Sequence, residues 1–198
     1  MHSPVPSSDK VLAYHTCKTQ LVLGHRHGRL ITEVAFTKAL CTSWNKLCCG
    51  RAYTISGPFG QDPVTKQASI KHTPMSQVDI GPWVYPHSHL AGKARLSGIG
   101  KIKSVIFEEG SRPGMPWNAV IVVTHDFSDP LTPQHPPIPF DMIYHFGHYT
   151  PLPYYWSDLA PGATIWIDAS LFAKDAKTSS FIAQIENYQY LSTSNTPA

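Results

Sequence analysis

The chain has few charged residues and lacks long apolar runs. Charged residues make up 15% of its 198 positions and apolar residues 42%, which is too apolar for an intrinsically disordered protein. No run approaches the roughly 18 apolar residues of a membrane-spanning helix. Because 18 prolines and 13 glycines interrupt the chain, helical bundles and coiled coils are excluded. We expect one or at most two domains.

Cysteines are scarce, and targeting signals are not recognisable. The four cysteines all lie in the first quarter of the chain: Cys17, Cys41, Cys48 and Cys49. A disulfide framework would not be so unevenly distributed, which favours reduced thiols. Residues 1–10 have neither the apolar core of a secretory signal nor the arginines of a transit peptide. We therefore expect a nuclear or cytoplasmic location and no membrane partner.

The sequence also lacks the short motifs of common enzyme classes. It has no Gly-x-Ser-x-Gly elbow, and Gly98-Ile99-Gly100 is not followed by a third glycine. No Cys-x2-Cys pair indicates zinc. The His-x-His pairs at 25–27 and 87–89 leave a cupin-like metal-dependent enzyme as a lesser alternative, although Glu33 follows the first pair at too long a spacing. We expect no catalytic residues, metal or cofactor.

Charge is divided unevenly along the chain. Residues 1–103 carry 13 basic and 4 acidic residues, whereas residues 104–198 carry 3 basic and 9 acidic residues. Such an asymmetry indicates that the first half faces an anionic partner. Attraction between the two halves would explain the same pattern equally well.

Strand patterns dominate the second half of the chain. Short apolar runs rich in β-branched residues, with turn residues between them, predict five strands, at 98–108, 118–127, 140–146, 164–172 and 181–191. The first half is less regular. Its pattern predicts a β-leaning stretch at 11–23 and a strand followed by a short helix within 30–48. Beyond these it predicts only loops, with one strand at 51–56.

Alternation with period two orients the predicted strands. In the third strand, Phe140, Met142, Tyr144 and Phe146 share one face. In the fourth and fifth strands the outward residues would include Trp166, Asp168, Ser170, Gln184, Glu186, Tyr188 and Tyr190. In the first strand the double glycine favours a β-bulge, with two lysines on the outer face, Lys101 and Lys103.

Three of these segments resemble the OB-fold. Residues 158–168 (DLAPGATIWID) resemble the start of its fourth strand, and residues 98–105 are similar to its first strand. Residues 181–192 (FIAQIENYQYLS) are similar to the last strand of single-stranded-DNA-binding proteins and replication protein A-like domains. The resemblance covers about residues 93–192. It implies a mostly β protein whose C-terminal half is a five-stranded OB-like antiparallel barrel, with a basic N-terminal extension of strands and a short helix.

The resemblance also implies a function. OB-folds bind single strands by stacking bases on aromatic side chains while basic side chains contact phosphates. We expect binding of single-stranded nucleic acid, with DNA favoured, through eight residues: Arg95, Lys101, Lys103, Trp166, Tyr188, Tyr190, Tyr154 and Tyr155. The last two could instead close one end of the barrel. A protein-interaction module that acts as a subunit of a larger complex remains the alternative.

The same reasoning divides the chain into four parts. We expect disordered tails at residues 1–10 and 193–198. Between them we expect a basic segment at 11–92, which packs on or extends the barrel, and the barrel itself at 93–192. Residues 93–198 carry 7 basic and 9 acidic residues. Basic residues of the first half must therefore supply part of any positive groove.

Overall fold

The computed structural model of the chain describes residues 12–26, 29–83, 88–108, 118–129, 134–146 and 159–192. Within these ranges the chain forms β-strands and three short 3-10 helices, Ser43–Asn45, Pro74–Ser76 and Ser88–Leu90. The strands are β1 (Ala13–Arg26), β2 (Arg29–Cys41), β3 (Arg51–Ile55), β4 (Phe59–Gln61), β5 (Ala68–His72), β6 (Gln77–Pro82), β7 (Arg95–Glu108), β8 (Asn118–Phe127), β9 (Ile138–Phe146), β10 (Thr164–Lys174) and β11 (Phe181–Ser192). None of the helices described is long and apolar enough to cross a membrane.

The last five strands close into a barrel. Going around it, the order is β7, β8, β9, β11, β10 and back to β7. Neighbours are antiparallel except β9 and β11, which are parallel. When the strands are numbered one to five, this order is 1-2-3-5-4-1, the Greek-key topology of the OB-fold. The predicted fold class, a mostly β protein with an OB-like barrel in its C-terminal half, is confirmed.

The barrel interior follows the predicted alternation. Phe140, Met142, Tyr144 and Phe146 are buried on one side of β9, as are Ile165, Ile167, Ala169 and Leu171 on β10. The glycines of β7 permit close packing rather than a bulge. A Cβ at Gly100 would lie 2.5 Å from Val123 Cγ1 and 2.7 Å from the carbonyl oxygen of Thr124. The bulge of β7 lies instead at Lys103. This residue has no partner on β8, whereas Ile102 pairs with Val123 and Ser104 pairs with Val122.

The first half contains more strands than the sequence predicted. Its main sheet has the order β1-β2-β5-β4, and β3 pairs with β6. Ser56 N–H donates to Ser76 O and Lys71 N–H donates to Pro58 O, so β3–β4 and β5–β6 form one bent hairpin. The prediction of loops with one strand over residues 50–92 was wrong. Of the described prolines there, Pro58 lies at the bend, Pro63 in a turn, Pro74 in a 3-10 helix and Pro82 at the end of β6. At such positions a missing N–H does not interrupt a ladder.

This N-terminal sheet has the topology of strands two to five of an OB-fold. β2 and β5 are its parallel pair, as β9 and β11 are in the barrel. The hairpin turns also match, because Asp62 and Asp175 each accept hydrogen bonds from the backbone N–H groups two and three residues later. Four residues after each aspartate, Lys66 and Ser179 have φ of 56° and 57°. The chain thus contains two OB-like units, β1–β6 (the first unit) and β7–β11 (the second unit).

The two units share one core. Leu23, Ala35 and Ala68 of the first unit are buried in the same cluster as the barrel interior. The ring of Phe59 packs edge-to-face against two barrel phenylalanines at centroid distances of 6.0 and 5.4 Å, Phe140 and Phe181. Polar contacts cross the same boundary, between Lys71 and Asp129 and between Lys174 and Glu33. The division of the chain at residues 92/93 remains a prediction.

Candidate nucleic-acid interface

Two of the basic residues predicted to contact phosphates are paired with carboxylates. Arg95 Nη2 lies 2.8 Å from Asp168 Oδ2 and 2.6 Å from Glu186 Oε2 on the outer wall of the barrel. Lys103 Nζ lies 2.6 Å from Asp141 Oδ2. These ion pairs neutralise the positive charge that a phosphate would require. The barrel wall is therefore less basic than its lysines and arginine suggested.

Lys101 and Trp166 keep the outward orientation that the sequence predicted. Lys101 is exposed and forms no ion pair with any residue that the structure describes. Trp166 is half-buried on the outer face of β10, opposite Ile99 of β7. Ile99 is itself 57% exposed, so this part of the wall offers an apolar surface beside a cationic one.

Tyr188 and Tyr190 point toward the barrel interior instead of outward. The register of β10 and β11 shifts at Glu186, which has no partner residue on β10. One extra residue reverses the alternation beyond it, so Tyr188 lies opposite the buried Ile167. Its ring packs edge-to-face on Phe146 at 5.3 Å, and burial raises the pKa of its hydroxyl. The prediction that both tyrosines face outward was wrong.

Four residues named in the sequence predictions lie outside the described residues: Tyr154 and Tyr155, and His27 and His87 of the two His-x-His pairs. Among the residues that are described, no three His, Cys, Asp or Glu side chains come together in a way that could hold a metal ion.

The outer face of the β1–β2 hairpin carries aromatic side chains beside two lysines. Lys18 lies opposite Phe36, and Lys38 lies one pair further along the same face. Tyr14 is 61% exposed near the open end of the hairpin. Neither lysine is within ion-pair distance of a carboxylate in the described part of the chain. We call Tyr14, Lys18, Phe36 and Lys38 the hairpin face.

The hairpin face is the counterpart of a known ligand-binding surface. OB-folds bind oligonucleotides on the face of strands two and three, which are β1 and β2 in the first unit and β8 and β9 in the second. In the second unit the corresponding face includes Asp141, which accepts hydrogen bonds from Lys103 and Thr124. In the first unit the described outward residues of the paired strands include no carboxylate: Tyr14, Thr16, Lys18, Gln20, Val22, Thr32, Val34, Phe36, Lys38 and Leu40.

Sequence reasoning missed this face, although its alternation was visible. The residues at 13–20 and 34–40 alternate, but only the pairing register shows that Lys18 and Phe36 are neighbours. Those two residues are separated by 18 positions in the chain. A pattern read along a single strand gives its two sides but not the strand that lies beside it.

A buried polar pair lies at the boundary between the two units. His125 Nδ1 is 2.8 Å from the carbonyl oxygen of Ile99 and must donate to it, so Nε2 accepts the hydrogen bond from the Tyr144 hydroxyl at 2.7 Å. Burial lowers the pKa of His125 and raises that of Tyr144. The imidazole also lines a cavity of about 440 Å³ beside Pro58 and Phe59 of the first unit. These contacts satisfy both side chains within the core and give them a structural role.

Comparisons with known proteins found similarity in structure only. No family model and no curated protein matches the chain. The single-stranded DNA binding protein from Thermus aquaticus matches over 93% of this chain and 84% of its own, with 9% identity and a TM-score of 0.46. A deletion mutant of that protein matches over the same shares, with 10% identity and a TM-score of 0.47. The PriB protein from Ralstonia solanacearum matches over 50% of this chain and 98% of its own, with 10% identity and a TM-score of 0.37.

Proposed function

We propose that this protein binds single-stranded nucleic acid on the hairpin face and catalyses no reaction. The observation that carries the proposal is the position of Lys18 and Lys38 beside Tyr14 and Phe36, on a face without a described carboxylate. Proteins that hold single strands combine aromatic stacking platforms with cationic side chains that contact the backbone. The hairpin face supplies both from adjacent strands.

The chemistry of the face favours a single strand over a duplex. A base must be unpaired and unstacked before it can lie on Tyr14, and each stacked base contributes about 1–3 kcal/mol to binding. The two lysines would displace counterions from the strand, so affinity must fall as salt concentration rises. Both contributions are largely independent of base sequence.

The second unit would contribute less than the sequence suggested. Lys101 and Trp166 remain candidate contacts on the barrel wall, whereas Arg95 and Lys103 are engaged by carboxylates. Tyr188 and Tyr190 pack against the barrel core and are half-buried, so they offer less surface for stacking than an exposed ring does. DNA as the natural strand, and a nuclear or cytoplasmic location, remain predictions from the sequence.

The experiment that tests the proposal is fluorescence anisotropy with a labelled single strand of about 30 nucleotides at two salt concentrations. The variant Lys18→Glu with Lys38→Glu should weaken binding about tenfold or more and reduce the salt dependence. Lys46→Glu with Lys177→Glu makes the same change in net charge at two exposed lysines outside the hairpin face. An equal effect of both double variants, or an unchanged affinity in the first, would overturn the proposal.

A further inference from the structure

Within the described residues the first unit has no counterpart of β7, and a groove lies in the place of that strand. In the second unit β7 lies between β8 and β10 and pairs with both. The counterparts of β8 and β10 are β1 and β3. In the described part of the chain, β1 pairs only with β2 and β3 pairs only with β6. A groove of about 750 Å³ extends between them.

The groove is bordered by two strand edges. Its lining includes the consecutive residues 17–22 of β1 and 51–55 of β3. Successive side chains of a strand point to opposite faces, so an unbroken run of lining residues means that the edge itself borders the groove. Every second residue on such an edge directs its N–H and C=O away from the partner strand. At the far end of β1 the edge is covered, because Leu23 O accepts a hydrogen bond from Gly92 N–H at 2.9 Å.

The side chains of the groove define what would fit there. Its lining is apolar over most of its length and includes Leu21, Tyr53, Ile80, Trp83 and Leu90. Among the described lining residues three are cationic, Lys18, Arg51 and Lys93, and none carries a carboxylate. Arg51 is paired with the neighbouring Asp79, whereas Lys18 and Lys93 form no ion pair with another described residue.

We propose that this groove binds an extended segment of a partner protein, with alternating apolar and acidic residues. The segment would lie antiparallel to both β1 and β3, as β7 does to β8 and β10 in the second unit. It would complete the first barrel by strand addition. In that mode backbone hydrogen bonds give affinity and the pockets for alternate side chains give specificity. The cationic lining selects acidic residues through charge complementarity.

The chain's own leading residues are chemically less suited to the groove. They include Pro4 and Pro6, which lack the N–H that a ladder requires. Because these prolines are two residues apart, both missing N–H groups would lie on the same edge of the strand. A strand between β1 and β3 must donate hydrogen bonds on both edges, so one of its two ladders would lose two donors.

The probe is a fluorescein-labelled peptide of about ten residues that alternates valine and glutamate, a length that fits strand addition along one edge. Two peptides serve as controls. One has lysine in place of glutamate, and the other has proline at alternate positions. The acidic peptide should bind the full chain, the lysine peptide about tenfold more weakly, and the proline peptide should not bind. Equal binding of the acidic and proline peptides, or no binding of the acidic peptide, would overturn the proposal.

Two further measurements locate the bound peptide. Lys93→Glu should weaken binding of the acidic peptide about fivefold or more, while Lys177→Glu serves as its charge-matched control. In hydrogen exchange, the amides of residues 17–22 and 51–55 should gain protection when the peptide binds, and those of β8 should not change. Protection elsewhere, or equal effects of the two substitutions, would contradict the assignment.

Deletion of residues 1–11 tests the competing occupant. If the amides of residues 17–22 are protected from hydrogen exchange in the free chain and lose that protection in this variant, the chain fills its own groove. The proposal would then be wrong. Nucleic-acid binding on the hairpin face is measured separately with Lys38→Glu and Tyr14→Ala, because neither residue lines the groove. Failure of either proposal therefore leaves the other testable.

Discussion

The side-chain amide of Gln61 joins the two units of the protein by donating to the carbonyl oxygen of Ser179 at 2.7 Å. The same amide donates to Lys66 O at 2.9 Å. Lys66 and Ser179 are the equivalent left-handed residues of the two matching turns. One buried side chain, 3% exposed, thus holds both turns together where the first unit meets the barrel.

Replacing Gln61 should separate the two turns. Gln61→Leu keeps most of the volume but leaves two carbonyl groups without this donor, which should lower the free energy of unfolding by about 1–3 kcal/mol. Urea denaturation followed by tryptophan fluorescence measures the change. Gln67→Leu, on an exposed side chain of the same turn, should change it by less than about 0.5 kcal/mol. Similar losses in both variants would contradict this role for Gln61.

Gly100 should tolerate no side chain, whereas Gly98 should. A Cβ at Gly100 would lie 2.5 Å from Val123 Cγ1, but a Cβ at Gly98 would lie 3.7 Å from its nearest neighbour, Nδ1 of His125. Gly100→Ala should therefore destabilise the barrel by about 1–3 kcal/mol through overpacking. Gly98→Ala, two residues away on β7, is the control and should cost clearly less. Thermal unfolding of both variants checks the order.

Stability should fall in mild acid, in part because His125 is buried. Burial lowers the pKa of His125 in the folded protein, while the unfolded chain titrates near the ordinary value of about 6.5. The unfolded state therefore binds more protons below that pH, and the free energy of unfolding decreases as pH falls toward the folded-state pKa. His125→Gln should reduce the difference in stability between about pH 7.5 and pH 5.5 by on the order of 1 kcal/mol. Because burial also lowers the pKa of His72, part of the dependence should remain.

Tyr14 should matter for nucleic-acid binding but not for folding. It is 61% exposed, so Tyr14→Ala should leave the unfolding free energy within about 0.5 kcal/mol of the original. Loss of one stacked base should weaken binding by about 1–3 kcal/mol, which anisotropy at constant salt measures. Trp166→Ala tests the barrel wall in the same way. A larger loss with Trp166→Ala than with Tyr14→Ala would move the site to the second unit.

The strands of the second unit could be predicted from local sequence patterns. The five barrel strands were found because turn residues and β-branched runs mark strands locally. The inward side of residues 140–146 was also correct, since no bulge occurs between Phe140 and Phe146 to disturb the alternation. A short-range pattern is sufficient where a strand is regular over its whole length.

Which residues are available for binding depends on contacts between strands that are distant in sequence. Glu186 has no pairing partner on β10, which reverses the alternation of β11 and turns Tyr188 inward. Asp141, 38 positions away in the chain, accepts a hydrogen bond from Lys103. The register that places Lys18 beside Phe36 depends likewise on strand pairing. The open groove exists because β1 and β3 have no strand between them in the described part of the chain. Bulges, ion pairs and unpaired edges arise between segments distant in sequence, so a pattern within one segment cannot contain them.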